Sequence, residues 1–146
     1  MIGRSTIFDS LFSVLQQIPG FATYGRRVQM PAAVAAQPAI FLRSADDEYL
    51  PREAQNLPAN VVLGAQIIIY YKTDDPNEPP GEELDNLIEA VETALLPAPW
   101  VGVFNLGGIV QHLWIEGQIK KDDGALSGQA GAIIPIKIRT TSNGPN

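Results

Sequence analysis

The residues of this chain best suited to chemistry are its carboxylates. The stretch "DDPNEPPGEEL", residues 74–84, holds five of the sixteen Asp and Glu residues. Such a cluster could coordinate calcium or magnesium, which prefer oxygen ligands, or hold a water for hydrolysis. The spacing argues against a calcium loop. An EF-hand needs oxygen ligands at its first, third, fifth and twelfth positions and glycine at the sixth. Counted from Asp74, the third residue is Pro76 and the sixth is Pro79. The same residues make ordinary sense as structure. Asp74, Asp75, Pro76 and Asn77 are turn formers. Glu82, Glu83 and Asp85 load the first turn of a helix, where negative charge meets the positive end of the dipole. A small metal-dependent hydrolase using this loop and His112 is the enzymatic alternative, and a ligand-binding regulatory domain of two-layer α/β form is a third.

Other chemistry-bearing residues are sparse. His112 is the one histidine. It shares a strand face with Trp114 and Glu116, an arrangement that allows a base and carboxylate pair, but no nucleophile lies near it in sequence. A packed or interfacial role is the simpler reading. "NLGGI" at 105–109 lacks the G-x-G-x-x-G and Walker patterns, and a strand rather than a helix is expected after it. Arg26 and Arg27 are adjacent on a loop without the aromatic and basic neighbours of a nucleic-acid patch. There is no cysteine, which removes disulfides, thiolate nucleophiles and the common structural zinc sites. No catalytic, cofactor or metal residue is therefore assigned, and a non-enzymatic role is expected.

The elements that would position these residues follow from periodicity. Residues 4–20 place Phe8, Leu11, Phe12, Leu15 and Ile18 on one helical stripe. Ser5 or Thr6 is the expected cap, with Asp9 in a capping-box-like position, and Pro19 and Gly20 end the helix. Residues 21–37 read as an extended arm with a short strand. "PAIFLRS", 38–44, is a proline-led strand. The long strand 61–71 has Val61, Leu63, Ala65, Ile67, Ile69 and Tyr71 on one face and a mixed set, Val62 to Lys72, on the other. Residues 82–96 form an amphipathic helix lined by Leu84, Leu87, Ile88, Val91, Ala94 and Leu95. Further strands are expected at 108–120 and 130–139. Pro135 lacks a ladder donor, so the last strand is either an edge or has its donor side free there. The expected fold is α+β: two helices on one face of a mainly antiparallel sheet of about four strands, in the order α-β-β-α-β-β. Residues 1–140 make one domain and 141–146 a disordered C-terminal tail.

Composition bounds the partners. With a formal net charge of −6 and a pI near 4.6, the chain is not built to neutralise phosphates or anionic lipid. It lacks a secretory signal pattern and an 18-residue apolar run, so a soluble intracellular placement is expected. Two helices cover one face of a sheet, yet the strands are apolar on both. Val62, Ile68 and Tyr70 need another cover, either a second copy or the 21–37 arm or 44–59 loop.

Four phrases in this order, "QPAIFLRSADDEY", "LPANVVLGAQIIIYYKTDD", "ELDNLIEAVETALL" and "NLGGIVQHLWIEGQIKKDDGALSGQAGAIIPIKI", resemble the tail terminator (minor tail or tail-completion) proteins of long-tailed bacteriophages. The resemblance covers most of residues 4–140 and rests on linear order. It implies a virion structural protein forming a hexameric ring that caps the tail tube at its head-proximal end and stops polymerisation. It further implies contact with the tail tube protein and a head-completion or connector protein, assembly in the host cytoplasm, no membrane, and DNA passing through the pore without specific binding. An acidic pore wall would suit such a conduit. Another neck or tail-completion protein of the same particle is the nearest alternative. Candidate subunit or tube contacts are Arg26, Arg27, Asp46, Asp47, Glu48, Arg52, Tyr70, His112 and Trp114.

Overall fold

A computed structural model describes residues 3–51, 59–97 and 102–141. The first helix, α1 (Arg4–Gln16), buries Ile7, Phe8, Leu11 and Leu15 along its apolar stripe. The expected Ser5 or Thr6 cap is not made. The helix begins two or three residues earlier, with Gly3 at the N-cap and no side-chain cap bond, so both hydroxyls already lie inside the first turn. The second helix, α2 (Pro80–Ala94), starts on a proline, whose missing N–H is no loss at that position.

Seven strands form one sheet: β1 (Thr23–Gly25), β2 (Ala39–Ser44), β3 (Glu48–Tyr49), β4 (Asn60–Lys72), β5 (His112–Ile115), β6 (Lys120–Asp122) and β7 (Gln129–Thr141). The path is β1-β2-β4-β7-β5, with β3 beside β4 and β6 beside β7. The α+β class stands, but about four antiparallel strands is corrected to a larger, mixed sheet, because β1 pairs parallel with β2. Its spine is β4 against β7, thirteen residues each, from Asn60 opposite Thr141 to Lys72 opposite Gln129.

The single strand expected at 108–120 is also corrected. It is broken into β5 and β6, and the cause is Pro135 on the neighbouring strand. Glu116 N donates to the Pro135 carbonyl (3.3 Å), so Pro135 turns its ladder edge toward this partner. Proline has no N–H to return. Pairing therefore stops at Ile115 opposite Ile136 and resumes at Lys120 opposite Ile133, with four residues spanning two. Gly117, at φ 106°, takes part in the excursion and lies against the Pro135 ring. The strand carrying Pro135 is not an edge. It is flanked on both sides, and its donor side is free at that one point.

Strands β2 and β3, which pair in turn along β4, are separated by a crossing over Gly64. A Cβ there would lie 2.3 Å from the Asp46 carbonyl oxygen, so only glycine admits this close crossing. Ala45 N donates to Gly64 O (2.9 Å), and Asp47 Oδ1 accepts from Gly64 N (3.2 Å).

Both helices cover the same face. Against them lie Ile40, Leu42, Val61, Leu63, Ile67, Ile69, Leu113, Ile134, Ile136 and Ile138 in one continuous apolar cluster. The opposite face has a small cluster of Ala39, Phe41 and Ile68, with Val28, Val34, Tyr70 and Ile133 packed on it. Val28 and Val34 come from the 21–37 arm, so the arm covers one end of this face.

Candidate functional site

The acidic stretch is a turn and a helix start in this fold. Glu78 N donates to Asp75 O (3.2 Å), Asn77 N to Asp75 Oδ1 (2.9 Å), and Asp75 N to Thr73 Oγ1 (3.1 Å). Glu78 accepts from the Tyr71 hydroxyl and from Thr73 Oγ1 (2.6 Å). The Thr73 bond, then the Tyr71 bond, hold the Glu78 carboxyl below its ordinary range. The reciprocal effect, with burial added, raises the Tyr71 hydroxyl to about 12. Glu82 and Glu83 occupy the first turn of α2. Asp75 and Glu78 are thus committed to local bonds, and among the described residues no group of three or more His, Cys, Asp or Glu could hold a metal ion.

The predicted contact residues scatter over the molecule. Arg26 is bound within the chain: it pairs with Asp9 (2.9 Å) and lies 5.7 and 5.8 Å from the ring centres of Phe8 and Phe12. It ties the arm to α1. Arg27 is exposed. Asp47 pairs with Arg4 (2.9 Å) rather than waiting for another subunit, and the Tyr49 hydroxyl also accepts from Arg4 (3.4 Å). Asp46 crosses Gly64, Glu48 stands opposite Val62, and both side chains are exposed. Arg52 lies outside the described residues. Tyr70 packs edge-to-face on Phe41, at 5.8 Å between ring centres, and donates to Gln29 O (2.9 Å). His112 stacks on Trp114 at 4.9 Å, and Trp114 Nε1 donates to Glu116 (3.3 Å). Glu116 is thus engaged by Trp114, while His112 Nδ1 is buried without a partner in the described structure. The "NLGGI" stretch is a turn, with Leu106, Gly107 and Gly108 at positive φ and Asn105 Oδ1 accepting from Gly108 N.

What the structure does assemble is the helix-free face of the sheet. Strand register places Arg43 on β2, Lys72 on β4, Lys120 on β6, and Lys137 and Arg139 on β7 there, half of the ten basic residues of the chain. None makes an ion pair with a described residue; the three pairs formed are Arg4–Asp47, Arg26–Asp9 and Lys121–Asp85. His112 and Trp114 stand beside Arg139 and Lys137. On it is a shallow depression of about 470 Å³, lined by Ile68, Ile133, Tyr70 and Val28 and edged by Arg43, Lys120, Lys121 and Asp122. Alternation in the sequence already puts Lys72, Lys137 and Arg139 opposite the apolar positions. That Arg43 and Lys120 join them is decided by strand order. Such a surface suits docking by a macromolecule more than turnover of a small substrate.

No protein-family model and no curated protein matches the chain. Among solved structures, a chain of "Virion of native gene transfer agent (GTA) particle" is similar at 16% identity, with a TM-score of 0.49, over 93% of this chain and 92% of that one. A likeness at that identity and TM-score carries no role from one to the other. No described helix is long and apolar enough to cross a membrane.

Proposed function

We propose that the chain is a non-catalytic structural subunit of a phage particle: a tail terminator whose copies close into a ring on the tail tube, end its growth and offer the surface that joins the head. The observation that carries this reading is the helix-free face. One face of the sheet is covered by two helices; among the described residues the other is covered by the 21–37 arm at one end and crossed by Asp46 at Gly64, with half-buried Ile133 and Tyr70 among cations that make no ion pair with a described residue. Open faces of this kind belong to subunits. The linear resemblance to tail terminators supplies the particular role. The tube protein and a head-completion protein are the expected partners, and the head-proximal end of the virion tail is the expected location.

Deletion of the gene in its phage tests the reading. Tails of uncontrolled length that fail to join heads are expected. Tails of normal length that fail to join would move the protein to the neck, and normal joined particles would end both readings. In solution or on isolated tubes, a species near six copies of the 15.8 kDa chain is expected.

A further inference from the structure

The charges of this chain are sorted by side. Between Lys72 and Lys120 there is no lysine or arginine at all. That segment contains α2, whose exposed positions include Glu82, Glu83, Asp85, Glu89 and Glu92. Among the described residues Asp85 alone of these is paired, with Lys121 at 3.2 Å. The outer surface of α2 is therefore an acidic ridge. The other side of the same sheet carries Arg43, Lys72, Lys120, Lys137 and Arg139 without ion pairs among the described residues. Glu48, Glu116 and Asp122 share that side, Asp46 crosses it over Gly64, and Glu116 is engaged by Trp114.

We propose that the occupant of the helix-free face is a second copy of this chain, seated through the acidic ridge of its α2. The two surfaces lie on opposite sides of one molecule, so the contact is head-to-tail and repeats from copy to copy, the type that closes into a ring or runs on as a filament. Opposite charge steers the two faces together and sets their register. The half-buried side chains of Ile133 and Tyr70, once dehydrated, supply attraction that charge in water does not. A duplex nucleic acid fits less well. Acids interrupt the cations, the floor is apolar, and the chain as a whole is negative. The inference deepens the subunit reading by naming the interface and the chemistry on each side of it.

Charge exchange tests this, read by light scattering or sedimentation of the intact chain at low and high salt. The wild type is expected to associate at low salt and to weaken about tenfold or more as salt screens the contact. Arg43→Glu with Arg139→Glu should leave a folded monomer. So should Glu89→Lys with Glu92→Lys, all four positions being exposed. The two monomers mixed should associate in alternation, since each variant's face then meets the opposite charge on the other's ridge, and all four exchanges in one chain should restore association. Circular dichroism confirms that each variant is folded; the mixed pair reports on the contact even if the fourfold variant fails to fold. A wild type that stays monomeric at low salt, or association that ignores both exchanges, overturns the inference. Short duplex DNA bound by the wild type and lost in the Arg43, Arg139 variant would give the face to a polyanion instead. Copies that still ring the tube while ignoring the exchanges would refute this interface and leave the terminator reading intact. Normal joined tails on gene deletion beside a charge-dependent ring would do the reverse.

Discussion

On the helix-covered face of the sheet, Ile67, Ile69, Ile134 and Ile138 are fully shut from solvent. One residue along each strand, on the opposite face, Gln66, Ile133, Pro135 and Lys137 are only half-buried. The same two strands build both surfaces, and the side chains alternate because successive Cβ atoms leave a strand on opposite sides. The first face is closed by α1 and α2 and admits no charge, since an unpaired buried charge is costly. The second accepts arginine, lysine and histidine because water reaches it. The comparison separates what holds the chain together from what it offers to other molecules.

The largest contrast is expected from neighbouring isoleucines. Ile134→Ala removes a side chain with no solvent contact and should cost about 2–5 kcal/mol. Ile133→Ala, on the open face, should cost well under half of that in the isolated chain. Urea unfolding of both variants checks this, and equal losses would mean that the two faces are equally sealed. Next is Gly64→Ala. Its Cβ meets the Asp46 carbonyl oxygen, and displacing the crossing segment should cost about 1–3 kcal/mol. A melting temperature unchanged from wild type would show that the crossing gives way freely.

The acid response should be smaller and lies away from both faces, in the turn before α2. The Glu78 carboxyl titrates below its ordinary 4.5 because Thr73 and Tyr71 donate to it. Its contribution is present above that value and is lost as pH falls through the folded-state value. Glu78→Gln should therefore lose less stability than wild type between neutral pH and about pH 3. On the alkaline side, the contribution of Tyr71 is present below 10.0 and is lost as pH rises toward about 12. A Glu78→Gln acid profile parallel to that of wild type would refute the assignment. The smallest effect belongs to Arg26→Ala, which removes a solvent-exposed ion pair and ring contacts with Phe8 and Phe12. About 0.5–1 kcal/mol is expected, read as a small fall in the urea midpoint, and no change would show that the arm is held by its strand pairing with β2, its other hydrogen bonds and its apolar contacts without help from Arg26.

Both helices and the strands β2, β4 and β7 are legible in the sequence because each has a long apolar period matching its geometry. The strands β1 and β3 are not. They are three and two residues long, too short for any period, and exist because a neighbouring strand offers ladder bonds. The split of β5 from β6 has its cause in Pro135, beyond an intervening turn. Of the candidate contacts, the shared face of His112 and Trp114 follows from alternation alone. The capture of Arg26 by α1 and of Asp47 by Arg4 does not, since each joins segments whose separation in space depends on the folded chain.

The acidic stretch 74–84 is a turn and a helix start on local grounds: the side chains of Asp75 and Thr73 meet backbone N–H groups within two residues, and such bonds need no tertiary partner. The charge desert from Lys72 to Lys120 is likewise written in the linear order of residues. The gathering of Arg43, Lys72, Lys120, Lys137 and Arg139 onto one surface is decided only by the folded sheet, because strand order and register determine which alternating side chains share a face.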